Sequence, residues 1–228
     1  GLVSVTTKAP SEELEGSLEV VATDDDQVRT VGSVSGPVND SLGYRIMGFY
    51  DDRDGYLTNL TNGGDLNGGL SRGGRGKFVW NATDQLSSTL IVNYTEDKLN
   101  CCGINWHELD PDARVLGFVP GEVAPGIEPG EDNRKIRQDD ESLGKGRDVS
   151  ASLEVAYDLN DFTLTSISSW NRWQYENNED VDFSDVDVAG ALSGGVLQGG
   201  IASLSNVETT FVAQELRLDS PVYDSFDY

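Results

Sequence analysis

Polar and apolar positions alternate strictly from Gly146 to Asp158. Val149, Ala151, Leu153, Val155 and Tyr157 fall on one side, and Ser150, Ser152, Glu154, Ala156 and Asp158 on the other. A period of two marks a strand with one apolar face. Asn160-Asp161 follows as a tight turn, and Phe162-Thr163-Leu164-Thr165 starts a strand running back, so the pair predicts a hairpin. Each strand has the length of a tilted bilayer crossing, roughly 9–11 residues. Glu154 sits on the polar face, where the core of a water-soluble sandwich would rarely accept it unpaired. A wall with lipid on one side and water on the other accepts both faces.

The same alternation recurs along the chain. Gly1 to Pro10 is a short β-prone run ended by proline. Between Glu15 and Thr23, Leu18, Val20 and Ala22 oppose Ser17, Glu19 and Val21. Val28 to Gly36 is a strand whose face the pattern leaves open. Tyr44, Ile46, Gly48 and Tyr50 oppose Arg45, Met47 and Phe49, and Phe78 and Trp80 oppose Arg75, Lys77 and Val79. Leu90, Val92 and Tyr94 oppose Thr89, Ile91 and Asn93, and Val212, Leu216 and Leu218 oppose Ala213, Glu215 and Arg217.

The connections alternate in length. Pro37 to Asp40, Asn81 to Gln85, Asn160-Asp161 and Pro221 to Asp227 are short. Asp51 to Gly73, Glu96 to Lys145 and Glu176 to Thr209 are long, polar and rich in Gly, Asn or Asp. A structureless loop as long as the second is foreign to a compact soluble domain. Long loops on one side and short turns on the other are the habit of an outer-membrane barrel. The pattern therefore predicts an all-β fold: an antiparallel transmembrane β-barrel segment with long extracellular loops.

Charge narrows the function. The chain carries 16 Lys and Arg against 40 Asp and Glu, a net charge of −24, which opposes nucleic-acid binding because that needs basic patches. It equally opposes docking on an anionic cytoplasmic leaflet. There is no apolar run long enough for a transmembrane helix. The chain opens Gly1-Leu2-Val3-Ser4-Val5 with neither a leader nor an initiating Met, and reads as a piece of a longer protein.

The candidate chemistries are weak. His107-Glu108 resembles the start of a zincin motif, but His107 is the only histidine and position 111 is Pro111, so no second ligand exists. Gly73-Gly74-Arg75-Gly76-Lys77-Phe78 ends in Phe where a phosphate loop needs Ser or Thr, and its first glycine position is Ser71. No Gly-x-Ser-x-Gly elbow presents a nucleophile. These readings point away from an enzyme and call for no cofactor. The adjacent Cys101-Cys102 lack the spacing of a zinc site, and a vicinal disulfide and two free thiols both stay open.

Glu176, Glu179, Asp180, Asp182, Asp185 and Asp187 form an acidic run. It is read as a solvated loop. Calcium takes many oxygens, so an ion there, or one bridging to lipopolysaccharide phosphates, is the weaker reading. Trp170, Trp173 and Tyr175 cluster toward the loop end of their strand and Trp80 toward a turn end, as interfacial aromatic girdles would. The sharper alternative has Trp173 and Tyr175 stacking on a ligand, with Trp106 and His107 as further loop contacts. The inward-facing charges are Glu19, Arg45, Arg75, Lys77, Glu154, Glu215 and Arg217.

Several pieces of the chain together resemble the TonB-dependent receptors of Gram-negative outer membranes. Gly1-Leu2-Val3-Ser4-Val5-Thr6-Thr7-Lys8-Ala9-Pro10 looks like the end of the family's plug, and Glu15-Gly16-Ser17 like the start of the first barrel strand. Gly32-Ser33-Val34-Ser35-Gly36-Pro37 is similar to the first periplasmic turn. Tyr44-Arg45-Ile46 with Arg53-Asp54-Gly55-Tyr56 resembles the third strand and the loop after it, and Gly74-Arg75-Gly76-Lys77-Phe78-Val79-Trp80 the fourth strand. Leu164-Thr165-Ser166-Ile167-Ser168 and Gln214-Glu215-Leu216-Arg217-Leu218-Asp219-Ser220-Pro221 complete the series.

The resemblance implies residues 1–10 as the last plug strand and 11–228 as the N-terminal portion of the barrel, supplying about eight strands of a barrel of about 22. It implies active uptake of a scarce nutrient, most often a ferric siderophore or similar iron complex, at the cell's outer membrane. The implied partners are outer-membrane lipid and lipopolysaccharide, the TonB–ExbB–ExbD complex and a small-molecule ligand. Two other readings stand beside it: a secreted β-rich binding module or adhesin, and a small independent eight-stranded outer-membrane barrel.

Overall fold

The computed structural model describes residues 6–24, 26–108, 110, 112, 114, 117–140 and 142–220. In chain order the elements are β1 (Glu15–Ala22), β2 (Gln27–Asn39), β3 (Leu42–Arg53), β4 (Leu57–Asn59), β5 (Asp65–Leu66), β6 (Gly69–Asn81) and β7 (Leu86–Leu99). They continue with α1 (Pro120–Val123), β8 (Lys135–Ile136), β9 (Leu143–Leu159), β10 (Phe162–Asp180), α2 (Val188–Ser193) and β11 (Ala202–Asp219). Eight strands make one antiparallel sheet in the order β1-β2-β3-β6-β7-β9-β10-β11. Each large strand pairs with the next large strand of the chain. The outermost strands, β1 and β11, do not pair with each other among the described residues. A small closed eight-stranded barrel would need that pairing.

The register carries each strand's alternation coherently across the sheet. Val34, Ile46, Gly76, Val92 and Ala151 are successive cross-strand partners, as are Tyr44, Phe78, Leu90, Leu153 and Ser168. One face of the sheet is therefore mainly apolar, interrupted by Ser166, Ser168 and Gln214 and, toward the long connections, by the pairs Arg72–Glu96 and Arg172–Glu208; the other carries most of the Ser, Thr and Asn and the charges of the strand middles. The open question of β2 resolves in the same way, with Val28, Thr30, Gly32 and Val34 on the apolar face.

Among the described residues, nothing covers the apolar face. Leu153 is 42% exposed, Leu216 72% and Leu218 61%, with no second sheet packed on them. Among the described residues, the sheet has no hydrophobic core of its own. The buried apolar residues are Leu57, Leu66 and Ile136 in one cluster and Val123, Ala124 and Ile127 in another, plus Val188, and all lie in the connections. A soluble sandwich or adhesin domain would instead bury the inward residues of two sheets. No helix among the described residues is long and apolar enough to cross a membrane, a fact that is silent on crossing by strands.

The short turns have local causes. Asn39 Oδ1 accepts the backbone N–H groups of Ser41 and Leu42, both at 2.9 Å, and closes β2 onto β3. Pro37, which has no N–H, sits where the register slips by one residue into a bulge before that turn. Thr83 Oγ1 accepts from Gln85 and Leu86 at 3.2 and 3.0 Å between β6 and β7. Asn160 takes the left-handed conformation (φ 62°) between β9 and β10, which Asn tolerates better than most residues. The turn expected over Pro221 to Asp227 and the first half of the run Gly1 to Pro10 lie outside the described residues.

The strands outrun the pattern that predicts them. β6 begins at Gly69 rather than Arg75, β7 reaches Leu99 rather than Thr95, β10 reaches Asp180, and β11 begins at Ala202 rather than Phe211. Asn178 pairs with Leu204 and Asp180 with Ala202, so the backbone ladder continues after alternation has ceased. β10 has 19 residues. That is roughly 60 Å of strand, about twice what a tilted crossing needs. Where water wets both faces, no apolar stripe is required and the period disappears.

An uncovered apolar face needs an apolar phase against it. Leu153→Arg should therefore cost about 2–4 kcal/mol when the protein is unfolded by urea from lipid vesicles. Ser152→Arg, one residue away on the polar face, should shift the same transition by no more than about 0.5 kcal/mol. Equal costs at the two positions would contradict the two-faced wall.

Candidate functional site

Two regions gather polar chemistry: the polar face of the wall and the cap formed by the long connections. Glu19, Arg45, Arg75, Lys77, Glu154, Glu215 and Arg217 all sit on the polar face by register: Arg45 partners Lys77, Arg75 partners Asn93, and Glu154 stands across Ile167 from Glu215. Side-chain bonds run across the strands here. Arg75 Nε donates to Asn93 Oδ1, Asn93 Nδ2 donates to Ser150 Oγ at 2.9 Å, and Asn171 Nδ2 donates to Asp148 Oδ2 at 2.7 Å. Arg217 pairs with Glu215 at 2.5 Å along its own strand.

The segment preceding β1 lies across this face. Arg45 Nε donates to the carbonyl of Ala9 at 3.0 Å, and its Nη2 meets Glu15 Oε1 at 2.6 Å. Lys77 Nζ donates to the carbonyl of Thr7 at 3.2 Å. Ser35, fully buried, accepts the Ser11 N–H at 2.9 Å and donates to the Tyr44 carbonyl at 3.0 Å. Gly43 admits Pro10, since a Cβ there would come within 2.9 Å of the Pro10 ring. A cavity of about 310 Å³ remains between the segment and the wall, lined by Thr7, Lys8, Met47, Arg45, Arg75 and Lys77. Four cations around one hollow stand out in a chain of net charge −24.

The cap is a joint product of three connections. β4 pairs with β5 and, in parallel, with β8, which belongs to the next long connection. Asn59 Nδ2 donates to the Gln138 carbonyl at 2.8 Å while the Gln138 N–H donates to Asn59 Oδ1 at 3.1 Å. Asp185, from the third connection, accepts from Thr61 Oγ1 at 2.8 Å and from Arg137 at 2.7 Å. Leu60, Trp106, Phe118 and Val186 pack on the Val123–Ala124–Ile127 cluster, so apolar contacts join the same three segments. Cys101 and Cys102 form a vicinal disulfide next to Gly103, whose N–H and carbonyl are both held by the Asn67 amide.

The aromatic candidates separate. Trp173 and Tyr175 stack at 5.7 Å with planes 4° apart, and their parity places them on the polar face with Asn171 and Asp148. Trp170 and Trp80 stay on the apolar face. The girdle expectation therefore fails for Trp173 and Tyr175: three residues along a strand reverses the face. Trp106 is part of the cap's apolar packing, and its carbonyl accepts from Gly130 and Asn133. His107 is exposed, with Nε2 3.9 Å from Glu131.

The acidic run is also not uniformly solvated. Asp180 is fully buried and Asp182 is 7% exposed. Burial first, and then the charge of Asp182, push the Asp180 carboxyl up to about 6. Burial and the neighbouring Asp140 and Asp182 likewise raise Asp139. Sequence reading missed Asp139, Asp140, Arg137 and Gln138, because nothing periodic marks residues that meet across separate loops.

No protein-family model matches the chain, and no curated protein matches it in sequence. Solved structures do. The chain is similar to the ferric yersiniabactin uptake receptor FyuA from Yersinia pestis, with TM-score 0.69 and 17% identity over 95% of this chain and 29% of that one. It is also similar to the siderophore receptor PirA from Acinetobacter baumannii, with TM-score 0.50 and 18% identity over 93% of this chain and 27% of that one. At these identities the likeness is one of fold, and the chain spans under a third of either receptor.

If Arg45 and Lys77 hold the leading segment, Arg45→Ala and Lys77→Ala should each release it. Hydrogen exchange at Thr7 to Ser11 should quicken about tenfold, the equivalent of about 1.4 kcal/mol, while the β2–β3 ladder stays protected. Unchanged exchange at those amides would show that the wall cations do not anchor the segment.

Proposed function

We propose that this chain is the N-terminal part of the barrel of a TonB-dependent outer-membrane receptor that imports a ferric siderophore or similar iron complex. The observation that carries the reading is the coreless, open, two-faced sheet with its long connections gathered into one cap. Such a sheet is stable where hydrocarbon meets the apolar face and water the polar one. The fold likeness to two receptors whose names specify siderophores supports the same reading. In this reading the membrane is the Gram-negative outer membrane, with lipid and lipopolysaccharide against the apolar face.

Residues 1–10 are the last stretch of a plug and 11–228 the barrel portion. The anchored path of Thr7 to Ser11 over the polar face supports that division. Glu19, Arg45, Arg75, Lys77, Glu154, Glu215 and Arg217 then face the lumen, where mixed charges suit a hydrophilic plug. Energy for transport comes from TonB–ExbB–ExbD acting on plug residues outside this chain. The cap and the Trp173–Tyr175 stack form part of the outer vestibule, with His107 exposed at its rim. Trp106 acts through the cap's packing rather than by touching ligand.

The test is uptake. A strain carrying the intact gene should take up labelled iron from a ferric siderophore in a TonB-dependent way, and a deletion strain should lose that uptake. Loss of TonB with no effect on uptake would sink the reading. A receptor that needs TonB but carries no ferric chelate would sink only the iron assignment. Within that receptor, Trp173→Ala should weaken ligand binding about three- to tenfold, the worth of one aromatic contact, as read by fluorescence titration.

A further inference from the structure

We propose that Asp139, Asp140 and Asp180 form a calcium site that clamps the connection between β7 and β9 to the connection between β10 and β11. One carboxylate oxygen from each of the three lies within 4.8 Å of the others. Oxygens held at about 2.3–2.6 Å from one calcium ion can be no more than about 5 Å apart, so the spacing fits a shared ion. Asp180 supplies the second and independent observation. Its side chain is fully buried, one oxygen accepts the Phe183 N–H at 2.6 Å, the Asp140 N–H faces the carboxylate, and Oδ2 closes no hydrogen bond. A buried carboxylate oxygen left unpaired is costly, and the ordinary remedies are a cation or neutralisation.

No protein cation takes that role. Among the described residues, no salt bridge reaches Asp139, Asp140, Asp180 or Asp182. Asp182 lies close by but is already committed. Its Oδ1 accepts from the Ser184 N–H and hydroxyl, and its Oδ2 accepts the Ile201 N–H at 2.6 Å. It adds negative charge and fixes the third connection beside the site. Gly200 completes the fit, because a Cβ there would meet Asp139 Oδ1 at 2.6 Å and Asp182 Oδ2 at 3.0 Å.

The donor chemistry selects the ion. All three side chains offer hard oxygen and none offers nitrogen or sulfur, which excludes a zinc- or copper-type site. Three carboxylates, two from a loop and one from the end of β10, suit the adaptable shell of calcium, completed by water and main-chain oxygen, better than the strict octahedron of magnesium. The site needs no lipopolysaccharide phosphate, since its central ligand is inside the protein. It also does not depend on the transport reading: the ligands lie in the connections and at the very end of β10.

The experiment uses the intact protein in detergent micelles, stripped with a chelator and titrated with calcium chloride. Calorimetry should show one site in the range of about 0.1–1 mM that Asp180→Asn abolishes and Glu128→Gln, an exposed loop change, leaves intact. Hydrogen exchange at 137–142 and 181–201 should slow at least tenfold on adding calcium, and the wall strands should not respond. Asp139→Asn with Asp140→Asn gives a second route should Asp180→Asn disturb folding, and heat-modifiable gel migration verifies that each barrel is folded. Absence of calcium binding would overturn the proposal. So would binding that survives in both folded variants, or connections equally protected in the stripped protein, where a retained proton would already satisfy Asp180.

Discussion

The backbone ladder running unbroken from β1 to β11 is what the rest of the structure depends on. Each interior strand finds its N–H and C=O partners on both neighbours, so the sheet satisfies its polar main chain without any second layer. That frees both faces to meet different solvents. A sandwich of the same strands would have to bury Leu153, Leu216 and their neighbours against a partner sheet, and they are exposed. The outer edges of β1 and β11, unpaired among the described residues, are the remaining liability, which closed barrels remove by adding strands until the ladder returns on itself.

Given that ladder, the assignment of charge follows from parity alone. A side chain two residues along stays on its face, and one residue along leaves it. Arg45, Lys77, Arg75 and Glu154 come from three different strands yet share a face, because the register has no slip between them. The leading segment exploits this. Its carbonyls at Thr7 and Ala9 meet cations that the wall already presents, and Ser35 and Gly43 receive it where larger side chains would block the path.

Much of the wall was legible because lipid-type faces impose period two. The faces of β1, β3, β6, β7, β9 and β11, the short turns and the position of the long connections can all be read from residue order. The strand ends were not legible. Asn177, Asn178, Glu179 and Asp180 continue β10 with polar residues on both sides, and a pattern method sees only a loop. The cap was illegible for a different reason. Asn59 and Gln138 are 79 positions apart, and Thr61 and Asp185 are 124 apart, so their bonds leave no local trace. The parity of Trp173 and Tyr175 is legible too: three residues along a strand from Trp170 reverses the face.

Wall and cap are stabilised by different means, and the difference bears on what each can do. The wall rests on the ladder and on whatever phase bathes its apolar side, so single polar-face changes leave its shape alone. The cap has little regular structure and, among the described residues, two small apolar clusters. Its order comes from cross-connection contacts that converge on few residues: Asp185 ties all three connections, and Asn59 with Gln138 ties two. Elements held by a few polar contacts open at lower free energy than ladder strands do. A cap built this way can shift as one unit while the strands beneath it stay fixed, and the fully buried Asp180 stands at the seam between those two regimes.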